Sequence, residues 1–169
     1  MMKKNIILTL PFLFPTLVTA ATQQYDCITE AAMCFQINPL LIKAIIFQES
    51  GNRQHAITKN KNNTIDVGLM QINSIHFKEL SSIGISEQTL RENSCANVFS
   101  GTWILHKVIQ KHGYSWDGIG KYHSSTPHHH DKYINKIISI IVNKNQDLNE
   151  IQVSLHEDVH KKFKCKPIH

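Results

Sequence analysis

The stretch NPLLIKAIIFQESG (38–51) constrains the fold more than any other part of the chain. Asn38 is a natural N-cap, Pro39 suits the first helical turn and Gly51 suits the position after the last. The segment therefore reads as a helix with both ends marked. Its apolar residues nearly encircle the axis, so the helix must lie at the centre of a fold with other elements packed around it. Near its end stands one carboxylate, Glu49, which on a helix projects beside Ile45 and Ile46. An apolar surround penalises the charged form, and the negative end of the helix dipole acts in the same direction. Two readings are open. Glu49 is either a solvated helix end or an acid held protonated near neutral pH, able to hand its proton to a leaving group.

Most of the remaining periodicity is helical. CITEAAMCFQ (27–36) reads as a short helix with Cys27 and Cys34 two turns apart on one face. ANVFSGTWILHKVIQKHG (96–113) repeats Val98, Leu105, Val108 and Ile109 at helical spacing and stops at Gly113. DKYINKIISIIVNK (131–144) aligns Tyr133, Ile134, Ile137, Ile138 and Ile141 on one stripe. DLNEIQVSLHEDVHKKF (147–163) opens with an Asp-x-x-Glu box and lines up Leu148, Ile151, Leu155 and Val159, predicting one helix. SWDGIGKYHSS (115–125) is a short helix or tight turn, and TKNKNNT (58–64) a polar loop. IDVGLMQIN (65–73) is read as a short extended piece running into a helical turn. The expected fold class is mainly α, a compact helical domain with a short extended segment.

The chain opens with a basic MMKKN, an apolar IILTLPFLFPTLV and small residues near Ala20, the pattern of a cleaved export signal over 1–20. About a dozen apolar residues with two prolines make a poor membrane span, which needs roughly 20. Domain boundaries are set at 21–146 for the main domain and 147–169 for a C-terminal helix and basic tail. No membrane span is expected after signal removal. Export brings Cys27, Cys34, Cys95 and Cys165 into an oxidising compartment where they can pair. Removing Lys3 and Lys4 also takes the formal charge from +5 to +3, too small a surplus to point to nucleic acid. The basic tail HKKFKCK (160–166) is either a solvated end or a weak attraction to an anionic wall or membrane surface.

In DVGLMQIN, Gly68 permits close approach to the backbone, while Gln71 and Asn73 carry the paired donors and acceptors that hold sugar hydroxyls and acetamides. Alone, these would be a turn glycine and two surface amides. In the order FQESGN, DVGLMQIN, GISEQTLRENSCANVFSGTWIL, YSWDGIGKYH, however, the chain resembles lytic transglycosylases of the lysozyme-like superfamily. It is most similar to the small group that accompanies secretion, conjugation and invasion machines of Gram-negative bacteria, from about Cys27 to Tyr133.

The resemblance implies an α+β lysozyme-like fold. It makes Glu49 the catalytic acid, Ser50 the hydroxyl that helps orient it, and Gly68, Leu69, Met70 and Gln71 the cleft-lining segment, with Asn73 beside them. Tyr122 becomes a cleft tyrosine near the acid. The implied reaction cleaves the β-1,4 bond between N-acetylmuramic acid and N-acetylglucosamine and leaves a 1,6-anhydro sugar, in the periplasm and without a cofactor. Substrate assistance makes one carboxylate sufficient. Asp66 is then a capping or turn residue, or else a second catalytic carboxylate that permits hydrolysis or stabilises positive charge. The resemblance also implies a Cys27–Cys95 disulfide, leaving Cys34 for Cys165. The implied partners are peptidoglycan strands and components of a secretion, conjugation or pilus apparatus.

One departure bears on activity. Where the family continues after the tyrosine with Asn-Ala-Gly, this chain reads YHSS, with His123 and Ser124. A non-catalytic peptidoglycan-binding module is therefore the alternative reading. A third is a zinc peptidase, because HEDVH (156–160) is a literal His-Glu-x-x-His. Asp158 inside the motif, the nearby chain end and a total of 11 histidines argue for coincidence, and no metal is expected. His128, His129 and His130 are read as a polar loop between helices, with a soft-metal cluster around His123 as the alternative.

Overall fold

The computed structural model describes residues 26–165, so the expected signal at 1–20 and the last four residues of the basic tail lie outside the described residues. The order is α1 (Cys27–Phe35), α2 (Pro39–Ser50), β1 (Ile57–Lys59), β2 (Ile65–Val67), β3 (Ile72–Asn73), a 3-10 turn (Ser74–His76), α3 (Phe77–Ser81), α4 (Glu87–Glu92), α5 (Ser94–His112), α6 (Trp116–Gly120), α7 (Pro127–Asn143), α8 (Asn145–Glu150) and α9 (Glu157–Lys162). The fold is mainly α, a lysozyme-like arrangement of helices with one small sheet.

The central helix forms as its caps require. The Asn38 side chain accepts from the Leu40 N–H at 2.9 Å, and the helix ends at Gly51. Leu41, Ile42, Ala44, Ile45 and Ile46 are all buried, which explains the apolar composition around the whole axis. Helix α7 packs against α2, while α1 packs against α5. No helix among the described residues is by itself long and apolar enough to cross a membrane.

The three strands form an antiparallel sheet in the order β1-β2-β3. Asp66 pairs in register with Thr58 on one side and Asn73 on the other. Directly opposed residues share a face of the sheet, so these three polar side chains make a row across it. Below the sheet, Val67, Ile72, Leu80, Ile85 and Leu90 form a second apolar cluster.

Four expectations need correction. The helix predicted over 147–163 is broken: α8 stops at Glu150, and 151–156 runs extended before α9. Ile151 and Val153 are buried while Gln152 and Ser154 are exposed, a two-residue alternation, and the Val153 carbonyl accepts from the Cys27 N–H at 2.9 Å. A helix there would lose that pairing and turn Val153 outward. His128–His130 belong to the first turns of α7 rather than to a loop, because Pro127 starts the helix. The polar 58–64 stretch begins inside β1, and the piece after β2 is a tight turn that returns to β3 before any helical turn. Helices α3 and α4 fill a region without a clear periodic signal.

Two disulfides close the structure. Cys27–Cys95 joins the starts of α1 and α5, and Cys34–Cys165 fastens the end of the described chain to α1. With sequence separations of 68 and 131 residues, each would stabilise by roughly 4–5 kcal/mol in a loop-entropy account, less in sum because the loops overlap. Phe163 packs between Phe35 and Phe99 at centroid distances of 5.8 and 5.6 Å, so the C-terminal segment shares the main core.

Candidate functional site

A polar groove of about 870 Å³ runs between the sheet, the end of α2 and the α6–α7 connection. Glu49, in the last turn of α2, lies partly buried at its base, and Asp66, Gln71, Asn73 and Tyr122 also line it. Burial pushes the Glu49 carboxyl up to about 7, well above its ordinary value of 4.5, and the Asp66 charge adds to the rise. The Tyr133 hydroxyl and, more weakly, the Lys136 ammonium favour the charged form and hold the rise back. Of the two readings open in the sequence, the structure selects the desolvated acid.

Tyr133 went unrecognised as a site residue because it sits on the apolar stripe of α7. Its ring is buried, and its hydroxyl makes no hydrogen bond of standard geometry, yet it approaches Glu49 closely enough to influence its proton. Burial and the neighbouring carboxyl hold the Tyr133 hydroxyl well above its usual range, so it stays a donor. Only the polar tip distinguishes it from the isoleucines around it. Against its face lies His123, with ring centroids 4.6 Å apart and planes within 3°. The imidazole is held below its ordinary pKa by burial and by His129 and Lys136, with Asp66 opposing.

The glycine segment acts mainly from beneath the groove. Gly68 takes φ +76°, and a Cβ there would fall 2.0 Å from the Asn97 side-chain nitrogen. No other residue fits. Asn97 is buried on α5; it accepts from the Met70 N–H at 2.9 Å and donates to the Val67 and Leu90 carbonyls at 3.0 Å each. One amide thus fastens the turn to two helices. Leu69 and Met70 point into the core, Met70 against Gly101, where a Cβ would meet its sulfur at 2.6 Å. Neither side chain reaches the groove, contrary to the cleft-lining role the resemblance implied. Apolar side chains this long are better buried than set among sugar hydroxyls.

Ser50 is also turned inward. Its hydroxyl donates to the Ile46 carbonyl at 3.2 Å and accepts from the Arg53 N–H at 3.2 Å, closing the end of α2 rather than touching substrate space. It fixes the backbone that carries Glu49. Tyr122 reaches the groove with its ring while its hydroxyl donates to the Met70 carbonyl at 3.1 Å.

Gln71 and Asn73 line the groove with amides already committed. Gln71 donates to the Gly68 and Ala56 carbonyls at 2.9 and 3.2 Å and accepts from Thr58 at 2.6 Å. It holds a left-handed φ of 46°, a conformation that costs a non-glycine residue on the order of 1 kcal/mol and clusters at functional sites. Asn73 donates to Asp66 at 2.6 Å, and Asn60 donates to the other Asp66 oxygen at 2.8 Å. Asp66 is therefore a held carboxylate facing the groove, not a helix or turn cap.

Among the described residues no three His, Cys, Asp or Glu side chains converge as a metal-ion site. His156 is the N-cap of α9 in an extended conformation, so HEDVH is not a continuous helical motif.

Comparison with known proteins agrees with this arrangement. The family model described as Transglycosylase SLT domain matches residues 26–136. The chain is 40% identical over 110 residues to Invasion protein IagB of Salmonella typhimurium (strain SL1344), covering 65% of this chain and 69% of that protein. It is 35% identical over 101 residues to Protein IpgF of Shigella flexneri, covering 60% and 66%. It is 42% identical over 105 residues to the Peptidoglycan-binding-like protein of Escherichia coli O157:H7, covering 58% and 63%. With the acid, the glycine turn and the tyrosine in family order on a mainly helical fold, the chain belongs to the SLT transglycosylase family.

Proposed function

We propose that this protein is a peptidoglycan lytic transglycosylase that opens the wall locally for a transenvelope secretion or conjugation apparatus. The observation that carries the reading is Glu49, a carboxyl raised to about 7 at the base of a polar groove of about 870 Å³. At neutral pH about half of such groups hold a proton, and the conjugate base is strong enough to take one back.

Glu49 gives its proton to the oxygen bridging N-acetylmuramic acid and N-acetylglucosamine. The C1–O bond breaks with its electron pair going to that oxygen, and the substrate acetamide stabilises the cationic C1. The Glu49 carboxylate then accepts the proton of the 6-hydroxyl, whose oxygen bonds to C1 and closes the anhydro ring. No water is consumed. Asp66, held by Asn60 and Asn73, keeps negative charge across the groove, raising the Glu49 pKa and favouring positive charge at C1.

Periplasmic residence is supported by the signal pattern over 1–20 and by two disulfides, which persist in oxidising compartments. The role beside a secretion apparatus rests on similarity to a protein named for invasion. The domain division at 21–146 and 147–169 is retained as a proposal, with both parts sharing one core.

Digestion of purified sacculi followed by mass spectrometry of the soluble muropeptides tests the reaction. The wild type should release products one water lighter than hydrolysis products, and Glu49→Gln should release none. Products of full hydrolytic mass would make Asp66 a water-activating base instead. Retention on sacculi with no soluble product would favour the binding module that the His123–Ser124 departure allows.

A further inference from the structure

Beside the groove, α7 turns a cationic face toward Glu49. His129, Lys132 and Lys136 follow the i, i+3, i+7 spacing of one helical stripe. With Gln48, His123 and Tyr133 they line a second pocket of about 200 Å³. It shares Gln48, His123 and His129 with the main groove, so the two adjoin. No carboxylate lines this pocket. The nearest on α7, Asp131, lines an adjoining surface pocket that Lys132 and Lys136 also border, and it bonds His130 at 2.8 Å.

Neither Lys132 nor Lys136 takes part in an ion pair among the described residues, in contrast to Lys107, Lys121, Lys144 and Lys161 and in common with the remaining lysines. The Lys136 charge is felt weakly at Glu49, and the pocket it lines adjoins the groove that holds Glu49. Unneutralised ammonium groups around a pocket opening from a glycan groove call for an anionic appendage on the glycan. The sugar backbone of peptidoglycan is neutral, but its lactoyl group carries a peptide stem with free carboxylates.

We propose that the pocket lined by Lys132, Lys136 and His129 receives the carboxylates of the peptide stem on the wall sugar next to the scissile bond. The inference rests on the reading of the main groove as a peptidoglycan site. Two exposed point charges on flexible stems suit a mobile carboxylate better than a rigid bidentate partner. Attraction of this kind is modest and screened by salt.

The test measures binding in the Glu49→Gln background, so that turnover does not interfere. Three ligands are compared: peptide-bearing strands, strands stripped of peptide by an amidase whose newly exposed lactoyl carboxylates are then amidated, and peptide-bearing strands whose carboxylates are amidated. Peptide-bearing strands should bind roughly three- to tenfold tighter than the other two, the range expected of two exposed ion pairs. That preference should disappear at high salt and in Lys132→Ala/Lys136→Ala, with affinity for stripped strands unchanged. Equal affinity for all three ligands, or equal weakening of all three in the double variant, would overturn it. Absence of soluble product from the wild type would sink the transglycosylase reading while leaving a binding preference intact; absence of binding to any strand would sink both.

Discussion

The imidazole of His123 lies flat on the ring of Tyr133, 4.6 Å away and within 3° of parallel, and the Tyr133 hydroxyl faces Glu49. Stacked aromatic pairs contribute about 0.5–1.5 kcal/mol beyond their burial. His123→Ala should therefore lower stability by about 1 kcal/mol and slow turnover several-fold, whereas His123→Phe should keep most of both. Denaturant melts and sacculus digestion rates check this. Equal losses in both variants would mean that stacking is not what the ring supplies.

The raised Glu49 pKa implies a pH limit on the reaction. The first step needs the protonated acid, so the rate should fall as pH rises past about 7. An initial-rate profile on sacculi checks the position of that descending limb, and Lys136→Ala, which removes a charge favouring the carboxylate, should move the limb upward.

The same shift has a stability consequence of definite sign. The folded pKa of about 7 exceeds the unfolded 4.5, so the folded state binds more protons between those values and stability falls as pH rises through the window. Below pH 4.5 the group contributes nothing; above 7 it costs about 3 kcal/mol at most. Glu49→Gln should abolish turnover yet raise stability at pH 8, with little change at pH 4. Melting temperatures at the two pH values check it.

His130 shifts stability in the same direction with pH, but from a different cause. Its Nδ1 faces the Asp131 carboxylate and its Nε2 the Asp117 carbonyl, each at 2.8 Å, two acceptors that only an imidazolium can satisfy together. Hydrogen bonding to the Asp117 carbonyl, then to Asp131, raises its pKa above 6.5. The stability it lends is therefore full below about pH 6.5 and is lost as pH rises through the raised value. His130→Gln should flatten that part of the stability profile.

Asn97 offers a purely structural test. Asn97→Ala removes the partner of three buried backbone groups, each worth roughly 1–3 kcal/mol when left unsatisfied. A loss of about 3–5 kcal/mol is expected by denaturant unfolding. Gly68→Ala should fail similarly, since its Cβ would land on the same amide.

The ends of α2 and α5 were legible because their signals are local: Asn38, Pro39 and Gly51 on one, Gly113 on the other. Glu49 was legible as an acid in an apolar surround. The break after Glu150 was not, because Ile151 and Leu155 fit a helical spacing while Ile151 and Val153 fit an extended one, and the partner that decides, Cys27, is distant in sequence. Tyr133 was hidden by its apolar neighbours. The inward turn of Met70 depends on Asn97 and Gly101, and that of Ser50 on the Ile46 carbonyl and the Arg53 N–H, none of which carries a recognisable pattern of its own. Packing assigned those roles.

The measurement that bears most directly on the account is titration of the Glu49 side-chain carboxyl by carbon-detected NMR in the folded protein. A midpoint near 7 is predicted. A midpoint near the ordinary 4.5 would contradict it, because the group would then be ionised at neutral pH with no proton to give the glycosidic oxygen.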